Sequence, residues 1–101
     1  MTGAQQLTAA AERLERLAAR TTAGNWRTAG LLATRPEVVA HHPDGGTEHV
    51  AEARARTAEW ITALSPAVAA PLAAWLRSAA SAEPVDDAAL RLAWTLLQRL
   101  P

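Results

Sequence analysis

The chain has no cysteine, tyrosine or phenylalanine, and none of its ten basic residues is a lysine. Without cysteine it can form no disulfide, no thiolate nucleophile and no cysteine-based zinc site. The only aromatic residues are four tryptophans, and the only cationic side chains other than histidine are arginines. An arginine-only basic set in an alanine-rich chain indicates a GC-rich genome.

Long apolar runs and a net charge are also missing. No run approaches the roughly 18 apolar residues of a membrane span, and the N-terminal residues lack the basic region and apolar run of a signal peptide. We therefore expect a cytoplasmic protein with no membrane association. Ten acidic residues balance the ten basic ones. This zero net charge argues against a dedicated nucleic-acid binder, whose affinity comes from neutralising phosphates.

A length of 101 residues predicts one domain over residues 1–101. Within it, residues 1–22 are expected to form an N-terminal amphipathic helix and residues 23–101 a hairpin followed by further helices. The predicted fold class is α+β and mostly α, with about four helices and one short two-stranded antiparallel hairpin.

The first helix is predicted over residues 4–21, because apolar residues recur there at steps of three and four, from Leu7 to Leu17. The hairpin is predicted over residues 25–42, where two short runs with β-branched residues flank the turn Thr34-Arg35-Pro36. A two-stranded ribbon alone is only marginally stable in water. We therefore expect the hairpin to pack on the next helix.

That next helix is predicted over residues 48–64. Val50, Trp60 and Leu64 share one helical face, and Thr47 is placed to cap the first turn. Ser65-Pro66 ends it, because the residue before a proline disfavours helical backbone. A further apolar helix follows, and Pro71 predicts either a kink in it or a fresh start from 71 to about 80.

The four tryptophans lie on four different predicted elements, as Trp26, Trp60, Trp75 and Trp94. A buried indole removes roughly 150–250 Å² from water, which is worth about 4–6 kcal/mol at about 25 cal/mol per Å². Because that is large beside a net stability of about 5–15 kcal/mol, at least three of the four rings are predicted to meet in one core.

The last helix is predicted over residues 86–100, with Asp86 as its cap. Its polar residues occupy one narrow stripe, so its apolar surface is wider than a surface helix needs. Burial within the monomer explains this surface. The sharper hypothesis is an interface with a protein partner or a second copy, in a homodimer, through Leu92, Leu96 and Leu100.

Two other site hypotheses remain open. A nucleic-acid interface would use the arginines of the first helix and of the hairpin, namely Arg13, Arg16, Arg20 and Arg27. A zinc or nickel site would use the three histidines, namely His41, His42 and His49. Adjacent histidines on a strand point to opposite faces, and no H-x-x-x-H or H-E-x-x-H spacing occurs, so solvated loop histidines are the simpler interpretation. No cofactor is expected.

No catalytic signature is present either. The chain has no G-x-S-x-G elbow, no G-x-x-x-x-G-K-[ST] loop and no G-x-G-x-x-G turn, and glutamates at helical spacing are typical of a solvated face. The sequence therefore favours a non-enzymatic protein that acts by binding.

Four short motifs carry a resemblance. They are Gly24-Asn25-Trp26, Glu37-Val38-Val39-Ala40, Thr47-Glu48-His49-Val50-Ala51, and Trp60-Ile61 followed by Ala63-Leu64-Ser65-Pro66-Ala67-Val68. Together they resemble the pattern of small phage accessory proteins of the lambda early-region type and of their relatives in actinobacterial phages and prophages. The likeness covers residues 23–77 and departs at Asn25, where the pattern has proline, and at Trp60, where it has phenylalanine. It implies a phage or prophage origin and an accessory role, and it assigns no catalytic residue.

Overall fold

The computed structural model describes residues 1–30 and 35–101. In chain order the elements are α1 (Gly3–Ala19), β1 (Asn25–Ala29), β2 (Glu37–His41), β3 (Thr47–Glu52), α2 (Ala55–Ala63), a 3-10 turn (Pro66–Val68), α3 (Ala69–Ala80) and α4 (Asp87–Arg99). The prediction of an α+β, mostly helical fold is confirmed. Leu31, Leu32 and Ala33, predicted to end the first strand, and Thr34 of the predicted turn lie outside the described residues.

The chain divides into two compact units. The helical unit comprises residues 1–21 and 68–101, and the sheet unit comprises residues 22–67. One boundary between the units lies between Thr21 and Thr22, and the other lies between Ala67 and Val68.

In the helical unit, α1 packs against both α3 and α4. Its core is built largely of alanine, and its buried members are Leu7, Ala10, Ala11, Ala73, Leu76, Ala89 and Ala93. Small side chains let helix backbones approach closely, and the two leucines fill the remaining space. At the start of α1, a Cβ on Gly3 would lie 3.0 Å from Leu90 Cδ2.

The helix ends follow the local sequence. Thr2 caps α1 in a capping box, in which its side chain accepts from the Gln5 backbone N–H and the Gln5 side chain accepts from the Thr2 N–H. Asp86 caps α4 by accepting from Ala89 N–H at 3.1 Å, as predicted. Pro71 is the third residue of α3, where a backbone N–H has no partner within the helix, so the proline is accommodated in the first turn.

The sheet unit contains a three-stranded antiparallel sheet in the order β1-β2-β3, so the prediction of only two strands is wrong, because residues 47–52 add a third. The pairing of β1 with β2 confirms the hairpin, with Trp26 opposite Ala40 and Thr28 opposite Val38. Val38 and Ala40 are fully buried. These alternate positions form the inner face of the sheet, on which α2 packs.

The predicted helix over residues 48–64 is wrong in its first part, because residues 47–52 form β3. Val39 pairs with His49 and Val38 with Ala51, so Val50 is the extra residue of a β-bulge. Strand pairing with β2 supplies the hydrogen bonds that a helix would have made internally, so the tertiary context overrides the helical spacing. The hairpin therefore packs on a shorter helix, α2, that begins at Ala55.

Candidate interaction surface

The helix α2 presents two different faces. The inner face carries small or half-buried residues, with Ala58 fully buried and Ile61 and Thr62 partly covered. An alanine at the centre of this contact lets the helix backbone lie close to the sheet, where an indole would not fit. The large side chains of α2 are consequently directed outward.

Trp60 and Leu64 are the large apolar residues on that outer face. Their exposed fractions are 68% and 56%, and Ala63, which lies between them along the helix, is also exposed. Residues three and four apart on a helix are neighbours on its surface. Trp60, Ala63 and Leu64 therefore form one continuous apolar surface, which we name the α2 patch.

Charged residues border the α2 patch. Arg56 lies one turn before Trp60, and Glu59 directly precedes it, and both side chains are exposed. An apolar centre with a charged border is the usual composition of a protein-binding surface. The sequence pattern does not reveal this surface, because a helix over residues 48–64 aligns Trp60 and Leu64 with Val50 on the apolar face that is expected to be buried.

The prediction that at least three tryptophans meet in one core is wrong. Trp60, Trp75 and Trp94 are exposed by 68%, 46% and 60%. Only Trp26 is partly buried, and its Nε1–H donates to the backbone oxygen of Thr22 at 3.0 Å. The core of the helical unit is filled by alanine and leucine, which pack more closely between helices than indole rings do.

Trp94 differs from Trp60 in its surroundings. It lies on the exposed side of α4 with Arg91 and Gln98 one turn away on either side. Single exposed apolar side chains among polar neighbours are common on protein surfaces. The α2 patch is distinguished from Trp94 by the second large apolar residue beside its tryptophan.

The leucines of the predicted interface on α4 are partly buried. Leu92 and Leu96 pack against the core of the helical unit, and Leu100 caps the end of α4 with an intermediate exposure. The wide apolar surface of α4 is therefore mainly used within its own unit. An interface through these three leucines stays a prediction.

The four arginines of the nucleic-acid hypothesis fall in different units. Arg13, Arg16 and Arg20 lie on or directly after α1 in the helical unit, and Arg27 lies on β1 in the sheet unit. Glu15 lies between Arg13 and Arg16 in the sequence. It forms an ion pair with Arg77, which donates two hydrogen bonds of 2.7 and 2.6 Å to its carboxylate.

Two of the three histidines, His42 and His49, contact carboxylates rather than each other. His42 Nε2 lies 3.1 Å from Glu48 Oε1, and His49 Nδ1 lies 2.6 Å from Glu37 Oε2. Within residues 1–30 and 35–101, no group of three or more histidine, aspartate or glutamate side chains is arranged to hold a metal ion. His41 ends β2, opposite Thr47 of β3 on one side and Asn25 of β1 on the other.

In the part of the chain that the structure describes, no helix is both long and apolar enough to cross a membrane. Comparison with protein families, with curated proteins and with solved structures finds no match to this chain.

Proposed function

We propose that the chain is a non-enzymatic accessory protein that binds a protein partner through the α2 patch. The observation that carries the proposal is the exposure of Trp60 beside Leu64 on one turn of α2. Keeping two large apolar side chains in contact with water is unfavourable for an isolated protein, and such adjacent residues mark binding surfaces. Tryptophan is also among the residues that contribute most to binding when buried at an interface.

The partner surface that fits the α2 patch is an apolar groove with an acidic border. The indole of Trp60 would enter the groove, and Leu64 would cover its next turn, as in other helix-in-groove complexes. A carboxylate on the border would pair with Arg56, one turn before the indole. Origin in a phage or prophage and a cytoplasmic location belong to this proposal and depend on the sequence alone.

A photo-crosslinker placed in the α2 patch tests the proposal. Benzoylphenylalanine introduced at position 63, which is exposed between Trp60 and Leu64, should crosslink a defined protein in cells that carry the gene. The same group at position 88, which is exposed on α4, is the matched control and should not crosslink that protein. An excess of the unmodified chain should suppress the crosslink.

The captured partner then allows a direct affinity measurement. Trp60→Ala should weaken binding by about 30-fold or more, since a central tryptophan contributes about 2 kcal/mol or more to an interface. Trp94→Ala should leave the affinity within about twofold. If the captured protein is a second copy of this chain, sedimentation equilibrium should show a dimer that Trp60→Ala abolishes. Equal crosslinking from positions 63 and 88, or equal affinities for both variants, would contradict the proposal.

A further inference from the structure

A shallow depression lies at one end of the sheet and is separate from the α2 patch. Its volume is about 600 Å³, within the range of sites for small organic ligands. The lining residues, all in the sheet unit, are Gly24, Asn25, Arg27, His41, His42, Pro43 and Ala67. The depression thus brings together Arg27, which the sequence assigned to a nucleic-acid interface, and two histidines that it assigned to a metal site.

The antiparallel register explains why these residues meet. Asn25 pairs with His41 and Arg27 with Val39, so Asn25, Arg27 and His41 share the outer face of the sheet. The chain enters β1 through Gly24, whose φ is 100°. A Cβ at Gly24 would lie 2.9 Å from the backbone oxygen of His41, so glycine allows the segment before β1 to approach the end of β2.

The lining of the depression carries cationic and donor groups and no carboxylate. Arg27 has a permanently charged guanidinium, Asn25 an amide, and the two histidines their ring nitrogens. Two carboxylates lie beside the lining: Glu48 contacts the lining residue His42, 3.1 Å from its Nε2, and Asp44 accepts from the backbone N–H of Gly46 at 2.8 Å. Because the His42 Nε2–H donates to Glu48, Nδ1 of the neutral ring is an acceptor, and His42 contributes ring surface rather than an N–H donor to the depression.

We infer that this depression binds the phosphate group of a small organic phosphate monoester. A guanidinium matches two phosphate oxygens at once through its forked N–H groups, and the Asn25 amide and the His41 imidazole add N–H donors on the same face of the sheet. Pro43 and Ala67 provide carbon surface in the same depression. An organic group esterified to the phosphate would contact this carbon surface, whereas inorganic phosphate would not.

Titration with phenyl phosphate, followed by two-dimensional ¹⁵N–¹H NMR, tests the inference. The resonances of Gly24, Arg27 and His41 should shift and saturate, and those of α2 should not. Phenyl phosphate should bind at least about threefold more tightly than inorganic phosphate, and phenol should produce no saturating shift. These arms separate the contributions of the phosphate and of the organic group.

Matched variants identify the residues responsible. Arg27→Gln removes a charge-assisted pair and should weaken binding by about tenfold or more, and His41→Asn should weaken it by a smaller factor. Arg54→Gln removes another exposed arginine of the same unit that does not line the depression, and it should have less than a twofold effect. Circular dichroism of each variant checks that the fold is retained.

Three results would overturn the inference. The first is an equal loss of affinity in Arg27→Gln and Arg54→Gln. The second is binding of phenyl phosphate that does not saturate by 10 mM, which corresponds to a binding free energy weaker than about −2.7 kcal/mol. The third is tighter binding of a single-stranded oligonucleotide, with the steep salt dependence that several phosphate contacts produce. The last would assign Arg27 to nucleic acid instead. None of these results bears on the α2 patch, so the two proposals can fail separately.

Discussion

The ion pair between Glu15 and Arg77 joins α1 to α3 through two hydrogen bonds of 2.7 and 2.6 Å. The hydrogen bonds from Arg77 are the main reason that the pKa of Glu15 lies below its usual value, and the same bonds raise the pKa of Arg77. Because the pKa of Glu15 is lower in the folded chain than in the unfolded chain, the pair stabilises the fold above pH 4.5, the usual value, and loses this effect as the pH falls below it.

We therefore expect Glu15→Gln to change the pH dependence of stability in acid. The wild-type free energy of unfolding should fall more steeply below pH 4.5 than that of the variant, and the two curves should run parallel above that value. Urea denaturation followed by circular dichroism between pH 3 and pH 7 measures both curves, over about four units around the ordinary carboxyl pKa. Glu83→Gln, which changes another exposed glutamate of the helical unit, is the control, and an identical flattening in that variant would contradict the assignment.

At the scale of single elements, residues 47–64 show what the sequence could and could not predict. Local chemistry predicts that a helix ends before Pro66, that another begins after Asp86 and that β1 pairs with β2. The structure agrees with all three predictions. The strand β3 does not follow from local chemistry, because the spacing of its apolar residues is compatible with a helix as well as with a strand. Only the pairing with β2 decides between the two.

The α2 patch was not predicted for the same reason, namely that the residues of β3 were assigned to a helix. In a helix over residues 48–64, Trp60 shares the apolar face with Val50, so that face is expected to be buried. Because Val50 belongs to β3 instead, it does not set the face of α2, and Ala58 is buried while Trp60 points outward. The pairing of Asn25 with His41, which builds the depression beside β1, is likewise a property of the sheet register and cannot be seen in the separate motifs.

This arrangement predicts that, in α2, a substitution of the small residue Ala58 costs more stability than truncation of the large residue Trp60. Ala58→Leu should destabilise the fold by about 1–3 kcal/mol, because the fully buried alanine has no space for three further carbons. Trp60→Ala should change the stability by no more than about 0.5 kcal/mol, because the indole is mostly exposed. Guanidinium denaturation measures both values. A cost of several kcal/mol for Trp60→Ala would show that the indole is part of a core.

At the scale of the whole molecule, the helical unit is discontinuous in sequence. α1 comes from residues 1–21 and its partners α3 and α4 from residues 68–101. Most of the stability of a helix within a protein comes from tertiary packing of its amphipathic face, so the order of α1 depends on the other two helices, against which Leu7 and Ala10 are fully covered.

Two separate fragments should therefore reassemble. A peptide of residues 1–21 should bind the fragment 22–101 and gain helical circular dichroism on mixing, with a dissociation constant measurable by calorimetry. The same peptide with Ala10→Asp, which places an unpaired carboxylate in the core, should not bind. Binding of both peptides with equal affinity would show that the contact of α1 with α3 and α4 does not hold the unit together.

The same discontinuity has a consequence for synthesis of the chain. The sheet unit is continuous in sequence, so it is complete when residue 67 has left the ribosome, whereas α1 has no partner until α3 and α4 have emerged. The apolar face of α1 is thus expected to be a nascent segment that molecular chaperones recognise until α3 and α4 cover it. Ribosome-bound chains arrested before α4 should show this as rapid proteolysis of α1 beside a protected sheet.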